Sequence, residues 1–303
     1  MTNPSTTNSS DLSAERRFFA EEIRVVANLR SGALVDALAT VPREQFLPPG
    51  PWTVLGEGDF GGGPRTTAGT DPRLVYHNVA IGIDPARMLF NGAPSVIGLA
   101  IDRLELAPSN RVLHIGAGTG YFTALIGHCV GPDGRVLAIE IDEVLAERCR
   151  SNVKDKPWIE VRRGDGSEAA GEKVEKFEKF DAIFINAGVT HPLASWLDAL
   201  LPGGRLIMPL TAVVPAMGNI GKGPLIFLRK RTAAGNDAGL DARVIGFVAI
   251  YSALGLRDET LNSEIGRTLA KNPFAALKTL RRDDHERSSS CWLHAREWCL
   301  SLD

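Results

Sequence analysis

Short apolar runs rich in β-branched residues alternate with helical stretches along the middle of the chain, and this alternation constrains the fold more than any other feature. The runs are RVLHI at 111–115, RVLAIEI at 135–141, FDAIFINA at 180–187 and RLIMPL at 205–210. Such runs are typical of strands buried on both faces of a parallel sheet. Right-handed crossovers between them predict an α/β fold with a doubly wound, mostly parallel sheet over residues 95–256.

Two further apolar stretches follow and predict an antiparallel addition to this sheet. They are GPLIFLRKR at 223–231 and ARVIGFVAIYSA at 242–253, and the turn-rich segment between them favours an antiparallel C-terminal hairpin. Residues 257–303 then form a C-terminal extension, in which a helix is expected over about 259–270.

The region before residue 95 is expected to be a helical elaboration. Apolar residues recur at helical spacing over 13–47, so residues 13–94 are assigned to this elaboration. Residues 1–12 are rich in Ser, Thr and Asn and are expected to be a flexible tail. The glycine-rich segment 56–72 is long for a connection, and the sequence leaves open whether it is a lid or an unconstrained loop.

Composition and charge exclude several classes of protein. Hydrophobic residues make up 44% and charged residues 23% of the 303 residues, as in ordinary globular proteins. The net charge of -2 lacks the basic excess of a general nucleic-acid binder, and no apolar run reaches the roughly 18 residues of a membrane-spanning helix. There is no signal-peptide pattern, and the 4 cysteines are too few for a disulfide-stapled domain. We therefore expect a cytoplasmic protein without nucleic-acid or membrane partners.

A glycine-rich turn lies between the first strand and the helix that follows it. The segment VLHIGAGTGYF at 112–122 runs from the strand through three glycines into a helix that should begin near Gly120. At Gly116, Gly118 and Gly120 the missing side chain lets backbone approach a ligand, and the helix N-terminus offers free N–H groups with a positive dipole. The pattern indicates a cradle for a nucleotide-type ligand, although it also suits a plain strand-to-helix turn.

Two acidic residues follow later strands of the same sheet. Glu140 closes the second strand 24 positions after Gly116, where a carboxylate can accept hydrogen bonds from both ribose hydroxyls of an adenosine. Asp165 follows the short run WIEVRR, where it can meet an adenine amino group. Plain alternatives are a surface charge for Glu140 and a helix N-cap for Asp165. Because ligands bind at the carboxyl edge of such sheets, the three features together favour an adenosine ligand, either NAD or S-adenosylmethionine.

Four motifs in a consistent order carry a family resemblance. They are VDALATVPREQFLP at 35–48, VLHIGAGTGYFTAL at 112–125, GDG at 164–166 and FDAIFINAGVTHPLASWLDALLPGGRLIMPL at 180–210. Through them residues 22–256 resemble the protein-L-isoaspartate O-methyltransferase family, within the class I S-adenosylmethionine-dependent methyltransferases. The resemblance implies a Rossmann-like methyltransferase fold, S-adenosyl-L-methionine as cofactor and S-adenosyl-L-homocysteine as product. It assigns cofactor binding to Gly116, Gly118, Gly120, Glu140, Asp165, Gly166 and Asn186.

The resemblance weakens at the segment expected to meet the methyl acceptor. The family places a segment of the type T-I-S-x-P ahead of the motif helix, and its serine lies at the substrate and the methyl donor. Alignment on the proline of FNGAP at 90–94 puts Gly92 at this serine, with Asn91 and Ser95 as candidates for positioning substrate and donor. His114 also replaces the usual acidic residue at the start of the glycine motif.

The function implied by the resemblance is methyl transfer to a carboxylate. A carboxylate is already ionised at pH 7, so the enzyme has to align the reactants and exclude water rather than supply a strong base. The leading hypothesis is an O-methyltransferase that forms a methyl ester on a small-molecule acid or a modified peptide. The alternatives are protein-L-isoaspartate repair, a non-catalytic module that binds S-adenosylmethionine, and an NAD oxidoreductase.

The C-terminal extension carries two cysteines and a histidine close together. Cys291, His294 and Cys299 supply only three ligands, in a spacing unlike that of zinc fingers, so no metal site is predicted. The segment is interpreted as a packed terminus. The N- and C-terminal elaborations are also candidate surfaces for a homodimer.

Overall fold

A computed structural model describes residues 11–56, 63–168, 179–213, 218–232 and 239–303 of the chain. Most of the predicted flexible tail, 1–12, lies outside the described residues. The centre of the glycine-rich segment, 57–62, lies outside them as well. Both assignments therefore stay predictions.

The N-terminal region combines two helices with a small antiparallel sheet. Helix α1 spans Ser13–Val26 and helix α2 spans Gly32–Thr40. The short strands that follow are β1 Thr53–Leu55, β2 Arg65–Thr66, β3 Ala80–Asp84 and β4 Leu89–Asn91, and they pair in the order β2-β1-β3-β4. The prediction of a helical elaboration over 13–94 is therefore wrong for 53–91. Strands this short do not show the alternating pattern on which sequence-based assignment depends.

The central region alternates strands and helices. In chain order it comprises α3 Pro94–Arg103, β5 Arg111–Ile115, α4 Tyr121–Val130, β6 Arg135–Glu140, α5 Glu143–Asn152, β7 Ile159–Arg163, β8 Phe180–Ile185, α6 Ala194–Ala199 and β9 Leu200–Pro209. Strands β9, β8, β5, β6 and β7 are neighbours in that order, and they run parallel. The predicted doubly wound parallel sheet is confirmed.

Antiparallel strands continue the same sheet beyond β9. They are β10 Ala212–Val213, β11 Ile220–Lys230 and β12 Leu240–Tyr251, and helix α7 then spans Glu259–Lys271. The predicted antiparallel hairpin is β11 with β12, and the predicted C-terminal helix is α7. The extension adds β13 Thr279–Arg281, β14 Cys291–His294 and β15 Cys299–Ser301. These complete the edge in the order β11-β12-β13-β15-β14.

Two apolar layers cover the faces of the sheet. Successive side chains of β5 point to opposite faces: Val112 packs with residues of α1 to α4, whereas Leu113 packs with residues of α6 and α7. Trp292 of β14 belongs to the second layer, so the C-terminal extension shares the core of the central sheet. The helices of the described residues include none long and apolar enough to cross a membrane. The carboxyl ends of β5, β6, β7 and β8 lie at one edge of the sheet, where the predicted cofactor-binding residues are found.

Candidate functional site

The glycine turn after β5 has a backbone that glycine adopts easily and other residues do not. The φ angles of Gly116, Gly118 and Gly120 are 81°, 55° and 94°. A Cβ at Gly116 would lie 3.0 Å from the Asn186 carbonyl oxygen, and a Cβ at Gly120 would lie 2.8 Å from the Cys149 sulfur. Gly120 is the N-cap of α4, and no side chain of the described residues caps this helix. The turn therefore brings backbone N–H groups to the sheet edge without side chains in front of them.

Glu140 lies at the end of β6, beside the glycine turn. Its carboxylate accepts hydrogen bonds from the Gly118 N–H at 2.7 Å and from the Asp142 N–H at 3.0 Å. The residue is only 7% exposed. Burial raises the pKa of Glu140, and the two backbone N–H groups oppose that rise. The plain alternative of a surface charge is thus wrong for Glu140, because the side chain is buried against the turn.

Asn186 follows β8 and joins the same group of residues. Its N–H donates to the Ile115 carbonyl at 2.8 Å, and its side-chain amide lies 3.5 Å from the Gly116 carbonyl oxygen. We call Gly116, Gly118, Gly120, Glu140 and Asn186 the donor edge. The ends of three adjacent strands, β8, β5 and β6, bring these five residues together.

Asp165 and Gly166 follow β7 at the same side of the sheet, and they differ in what they contact. Asp165 accepts a hydrogen bond from the Ser167 N–H at 2.8 Å, as in a local turn. Gly166 packs against β5, where a Cβ would lie 2.4 Å from Ile115, and its carbonyl accepts from the Trp196 indole at 2.9 Å. Gly166 therefore lacks a side chain because Ile115 fills the space. The assignments of Gly166 and Asp165 to cofactor binding stay predictions.

The segment between β4 and α3 carries the residues predicted to position substrate. We call Asn91, Gly92 and Ser95 the acceptor side. Asn91 is 8% exposed, and its side-chain NH₂ has no hydrogen-bond partner among the described residues. A Cβ at Gly92 would lie 2.8 Å from Ile97 and 4.0 Å from the Phe122 ring, which places this segment beside the start of α4.

Ser95 lies in the first turn of α3, where its backbone is fixed by a neighbouring loop. The Ser95 N–H donates to the Asn78 side chain at 2.9 Å, and Ser95 is 7% exposed. Ser95 is three residues after Gly92, in the segment that lies beside the start of α4.

The small N-terminal sheet covers the donor edge. Ile83 of β3 lies 3.7 Å from the position of a Cβ at Gly118. Arg87 makes ion pairs with Asp84 at 2.6 Å and with Asp142, the N-cap of α5, at 2.7 Å. The apolar contact and the ion pairs hold this sheet over the carboxyl edge. Sequence reasoning missed the cover because it assigned these residues to helix.

Arg43 is a further residue whose role only the structure shows. It lies in the VPRE motif, has no exposed surface, and donates to the carbonyls of Val75 at 2.7 Å, His77 at 2.9 Å and Val79 at 2.8 Å. Burial lowers the pKa of Arg43 to about 10. Arg43 thus shapes the loop that carries Asn78. A charged residue inside an apolar helical pattern was the sequence signal for such a buried anchor.

His114 lies behind the glycine turn rather than in it. It has no exposed surface, stacks on the Phe184 ring and exchanges a 2.9 Å hydrogen bond with the Thr123 hydroxyl. Burial lowers the pKa of His114 to about 3, so the imidazole is neutral at pH 7. It can orient α4 on β5, but it does not reach the sheet edge as a base.

The donor edge fits S-adenosylmethionine on observations of the structure itself. The Glu140 carboxylate has roughly four acceptor positions, of which the Gly118 and Asp142 N–H groups fill a part, so the others can accept from ribose hydroxyls. The uncapped N-terminus of α4 offers N–H donors next to them. Fold and site, together with the motif order of the sequence, define an S-adenosylmethionine-dependent methyltransferase of the class I, Rossmann-like type.

Comparisons with known proteins identify the family within this class. The sequence profile of the Protein-L-isoaspartate(D-aspartate) O-methyltransferase (PCMT) family matches residues 68–220. A Methylorubrum extorquens protein-L-isoaspartate O-methyltransferase is 32% identical over 251 residues, 81% of this chain and 92% of the relative. The chain belongs to the protein-L-isoaspartate O-methyltransferase family.

Other relatives agree with this assignment. The Aeropyrum pernix protein-L-isoaspartate O-methyltransferase is 30% identical over 197 residues, which is 62% of this chain and 66% of that relative. A Plasmodium falciparum structure described as a beta-aspartate methyltransferase (PCMT), in complex with S-adenosyl-L-homocysteine, superposes with a TM-score of 0.56 at 16% identity. The alignment covers 78% of this chain and 97% of that structure, and it supports the fold.

Proposed function

We propose that this chain is a carboxyl O-methyltransferase whose acceptor is an isoaspartyl residue of a peptide or protein. The observation that carries the proposal is the family match over residues 68–220, which includes the acceptor side and the whole donor edge. The relatives named above are protein-L-isoaspartate O-methyltransferases, so the comparisons favour this alternative over the small-molecule acid that led the sequence-based hypotheses.

A carboxylate acceptor suits the chemical groups at the site. It is ionised at pH 7 and needs no base to become a nucleophile. The imidazole of the glycine motif, His114, is buried and neutral, and its bonded partner is the Thr123 hydroxyl. The protein therefore contributes alignment of the reactants and exclusion of water.

The donor edge has the task of holding the cofactor. Glu140 would accept from the ribose, while the backbone at Gly116, Gly118 and Gly120 would approach the ligand closely. When bound, S-adenosylmethionine supplies an electrophilic methyl group, and the products are the methyl ester and S-adenosylhomocysteine. The small sheet, whose Ile83 lies 3.7 Å from the position of a Cβ at Gly118, would help to exclude water from this edge.

The acceptor side has the task of orienting the substrate carboxylate. The Asn91 NH₂ group is buried and has no partner within the described part of the chain, and a carboxylate oxygen would satisfy it. Ser95, held through Asn78, is the second polar residue in this position. We propose that Asn91 donates to the acceptor and that Ser95 contributes the hydroxyl which Gly92 lacks.

One observation favours a second candidate, a carboxylate other than isoaspartate. Alignment on the proline of FNGAP puts Gly92 at the serine that the family resemblance implies, and a Cβ at this position would lie 2.8 Å from Ile97. The neighbouring side chain therefore fills the space that a serine needs. An acceptor site reshaped in this way would suit a modified peptide or a smaller acid.

Methyl transfer to matched peptides tests the proposal. S-adenosylmethionine with a labelled methyl group is supplied with an isoaspartyl peptide, with the same sequence in the normal aspartyl linkage, and with a panel of small carboxylic acids. Base-labile volatile methanol reports the methyl ester. We expect label on the isoaspartyl peptide and none on its aspartyl counterpart.

The remaining outcomes separate the candidates. Label found only on another acid would contradict the isoaspartyl acceptor and support the second candidate. Tight S-adenosylhomocysteine binding with no label on any acceptor would contradict carboxyl transfer and support a non-catalytic binding module. Glu140→Ala should lower the label at sub-saturating S-adenosylmethionine in the positive case, whereas Glu143→Ala, on the exposed face of α5, should retain it.

A further inference from the structure

The C-terminal extension brings together four side chains that commonly bind transition metals. They are His285, Cys291, His294 and Cys299, which we call the C-terminal cluster. One nitrogen or sulfur atom from each lies within 4.8 Å of every other. The sequence offered only three of these ligands and predicted no metal site; the fold supplies the fourth, His285, from the loop before β14.

Strand pairing explains how the cluster forms. His294 of β14 and Cys299 of β15 are directly paired across the antiparallel hairpin. Cys291 and His294 are three positions apart, which in a regular strand would point them to opposite faces. The register shifts between Cys291 and Leu293, and this irregularity allows both side chains to reach the same side.

The neighbouring core residue confirms this local geometry. Trp292, at the irregularity, is 5% exposed and donates to the Asn272 carbonyl at 2.9 Å. Trp292 and Leu293 both belong to the core, whereas Cys291 before them and His294 after them reach the cluster. The irregularity and the buried tryptophan together fix the direction of the two β14 ligands.

The two imidazoles have nitrogen atoms available for a ligand. The His294 Nδ1 atom is buried and has no hydrogen-bond partner among the described residues, which is costly unless something binds it. His285 Nδ1 lies 2.9 Å from the Asp283 carbonyl oxygen, to which it can donate. That bond leaves His285 Nε2, 3.6 Å from the Cys291 sulfur, with its lone pair facing the cluster.

We propose that the C-terminal cluster binds one zinc ion as a structural site. Zinc prefers a tetrahedron of thiolate and imidazole ligands, and a site with four protein ligands is closed to substrate. At the usual bond lengths the ligand atoms of such a tetrahedron are about 3.3–3.8 Å apart. The cluster is near this size already, and rotation of its side chains closes the difference.

The surroundings suit a dication. Deprotonation of the two thiols gives two negative charges, which the metal balances, and binding releases their protons to solvent. The Ser288 N–H lies 3.3 Å from the Cys291 sulfur and can donate to a thiolate. The Asp283 carbonyl orients His285 as an outer hydrogen-bond partner of a metal-bound imidazole does.

The site would fasten the end of the chain to the sheet. Residues 282–290 form no helix or strand, and His285 is their contribution to the cluster. A metal bound there links this segment to β14 and β15, which pack into the core through Trp292 and Leu300. The C-terminal cluster is separate from the donor edge. A negative result for zinc binding would therefore not contradict the proposed methyl transfer.

Metal analysis of the full-length chain tests the proposal. The protein is purified under reducing conditions without chelator or affinity metal, and its zinc content is measured by inductively coupled plasma mass spectrometry. We expect about one zinc per chain. Cys291→Ser and Cys299→Ser should lose it, whereas Cys129→Ser, which removes a buried thiol of α4, should keep it. Zinc retained in the cluster variants, or absent from the parent, would overturn the proposal.

Two further measurements guard against variants that fail to fold. His285→Gln leaves the β14–β15 pairing intact and should release zinc at a lower chelator concentration than the parent, while the matched His128→Gln on α4 should not. Cobalt substituted into the parent should give the visible absorption of a tetrahedral S₂N₂ site. A mass lower by two hydrogens, assigned to a Cys291–Cys299 disulfide, would instead show that the thiols pair with each other.

Discussion

The donor edge and the acceptor side lie next to each other but are built in different ways. The donor edge comes from the ends of β8, β5 and β6, and its contacts are between backbone and short side chains, such as the Gly118 N–H with Glu140. The acceptor side depends on a chain of distant partners. Arg43 holds the loop at 75–79, Asn78 of that loop holds Ser95, and Ile97 fills the space beside Gly92.

This difference shows which half of the site can change without loss of the fold. The donor edge is part of the parallel sheet, so a change there disturbs both the strand ends and the ligand. The acceptor side is attached through loops and a small sheet, and its residues can be exchanged while the central sheet stays the same. A family can therefore keep one cofactor and vary its acceptor.

The largest effect is expected at Gly118. Gly118→Val puts a branched side chain where backbone must approach the ligand, and we expect the affinity for S-adenosylhomocysteine to fall at least about a hundredfold. Isothermal titration calorimetry measures this. Gly131→Val is the matched control, because Gly131 also has a positive φ, 68°, but no atom of the residues that the structure describes lies within 4 Å of its Cβ position. An equal loss of affinity in both variants would show that backbone strain, and not a blocked approach of the ligand, causes the loss.

Glu140→Ala should have the next largest effect on the donor edge. Removal of a charged acceptor is expected to weaken S-adenosylhomocysteine binding by about 1.5–3 kcal/mol, while leaving the apparent KM for the acceptor within about twofold. Titration calorimetry and initial rates give the two quantities. If the KM for the acceptor rose instead and the affinity for S-adenosylhomocysteine stayed unchanged, the division between donor edge and acceptor side would be wrong.

His114, which lies behind the donor edge, should make the free energy of unfolding of the chain depend on pH. Burial lowers the pKa of His114 from 6.5 to about 3, so between these values the unfolded chain binds a proton that the folded chain does not. This contribution to stability is fully present above pH 6.5 and is lost on acidification. We expect acidification from pH 7 to pH 5 to lower the free energy of unfolding by about 2 kcal/mol through His114.

Urea unfolding at the two pH values measures the His114 contribution. His114→Gln should reduce the difference between pH 7 and pH 5 by about that amount. Phe184→Leu, which removes the ring stacked on His114 but keeps the imidazole, should leave the difference as it is. A parent and a His114→Gln variant with equal acid sensitivity would contradict the assignment.

The smallest effects are expected from two glycines, Gly92 of the acceptor side and Gly98 of α3. Gly92→Ser should destabilise the chain by about 1 kcal/mol, because the new Cβ meets Ile97 and that side chain must shift. Gly98→Ala, in the middle of α3, should stabilise it by about 0.5–1 kcal/mol, because its Cβ finds an ordinary contact 3.5 Å from Ile23. Thermal unfolding distinguishes the two signs. Stabilisation by Gly92→Ser would show that the site still accommodates the serine.

Much of the central fold could be predicted from the sequence, since its signals are local. The apolar runs correspond to β5, β6, β8 and β9, the helix at Gly120 is α4, and the hairpin is β11 with β12. The glycine turn and Glu140 were predicted together because both follow buried strands of one sheet, whose carboxyl ends share an edge. Their geometry suits either NAD or S-adenosylmethionine, and the family resemblance of the sequence motifs favoured S-adenosylmethionine.

Two parts of the molecule could not be predicted in this way. Strands β1 to β4 are two to five residues long, and only their pairing with one another and their packing over Gly118 make them a sheet. His285 is six residues before Cys291 in no recognisable spacing, and the loop before β14 brings it to the cysteines and the histidine that β14 and β15 supply.

The sequence by itself determined the parallel sheet, its glycine turn and the acidic residue that ends β6, because hydrophobic periodicity and glycine conformation act over a few neighbouring residues. Only the tertiary structure decided that Ile83 covers the turn, that Ile97 occupies the space beside Gly92, and that four metal-binding side chains converge at the C-terminus. These contacts join residues that are distant in sequence or separated by irregular loops. Their positions therefore depend on strand pairing and side-chain packing across the whole core.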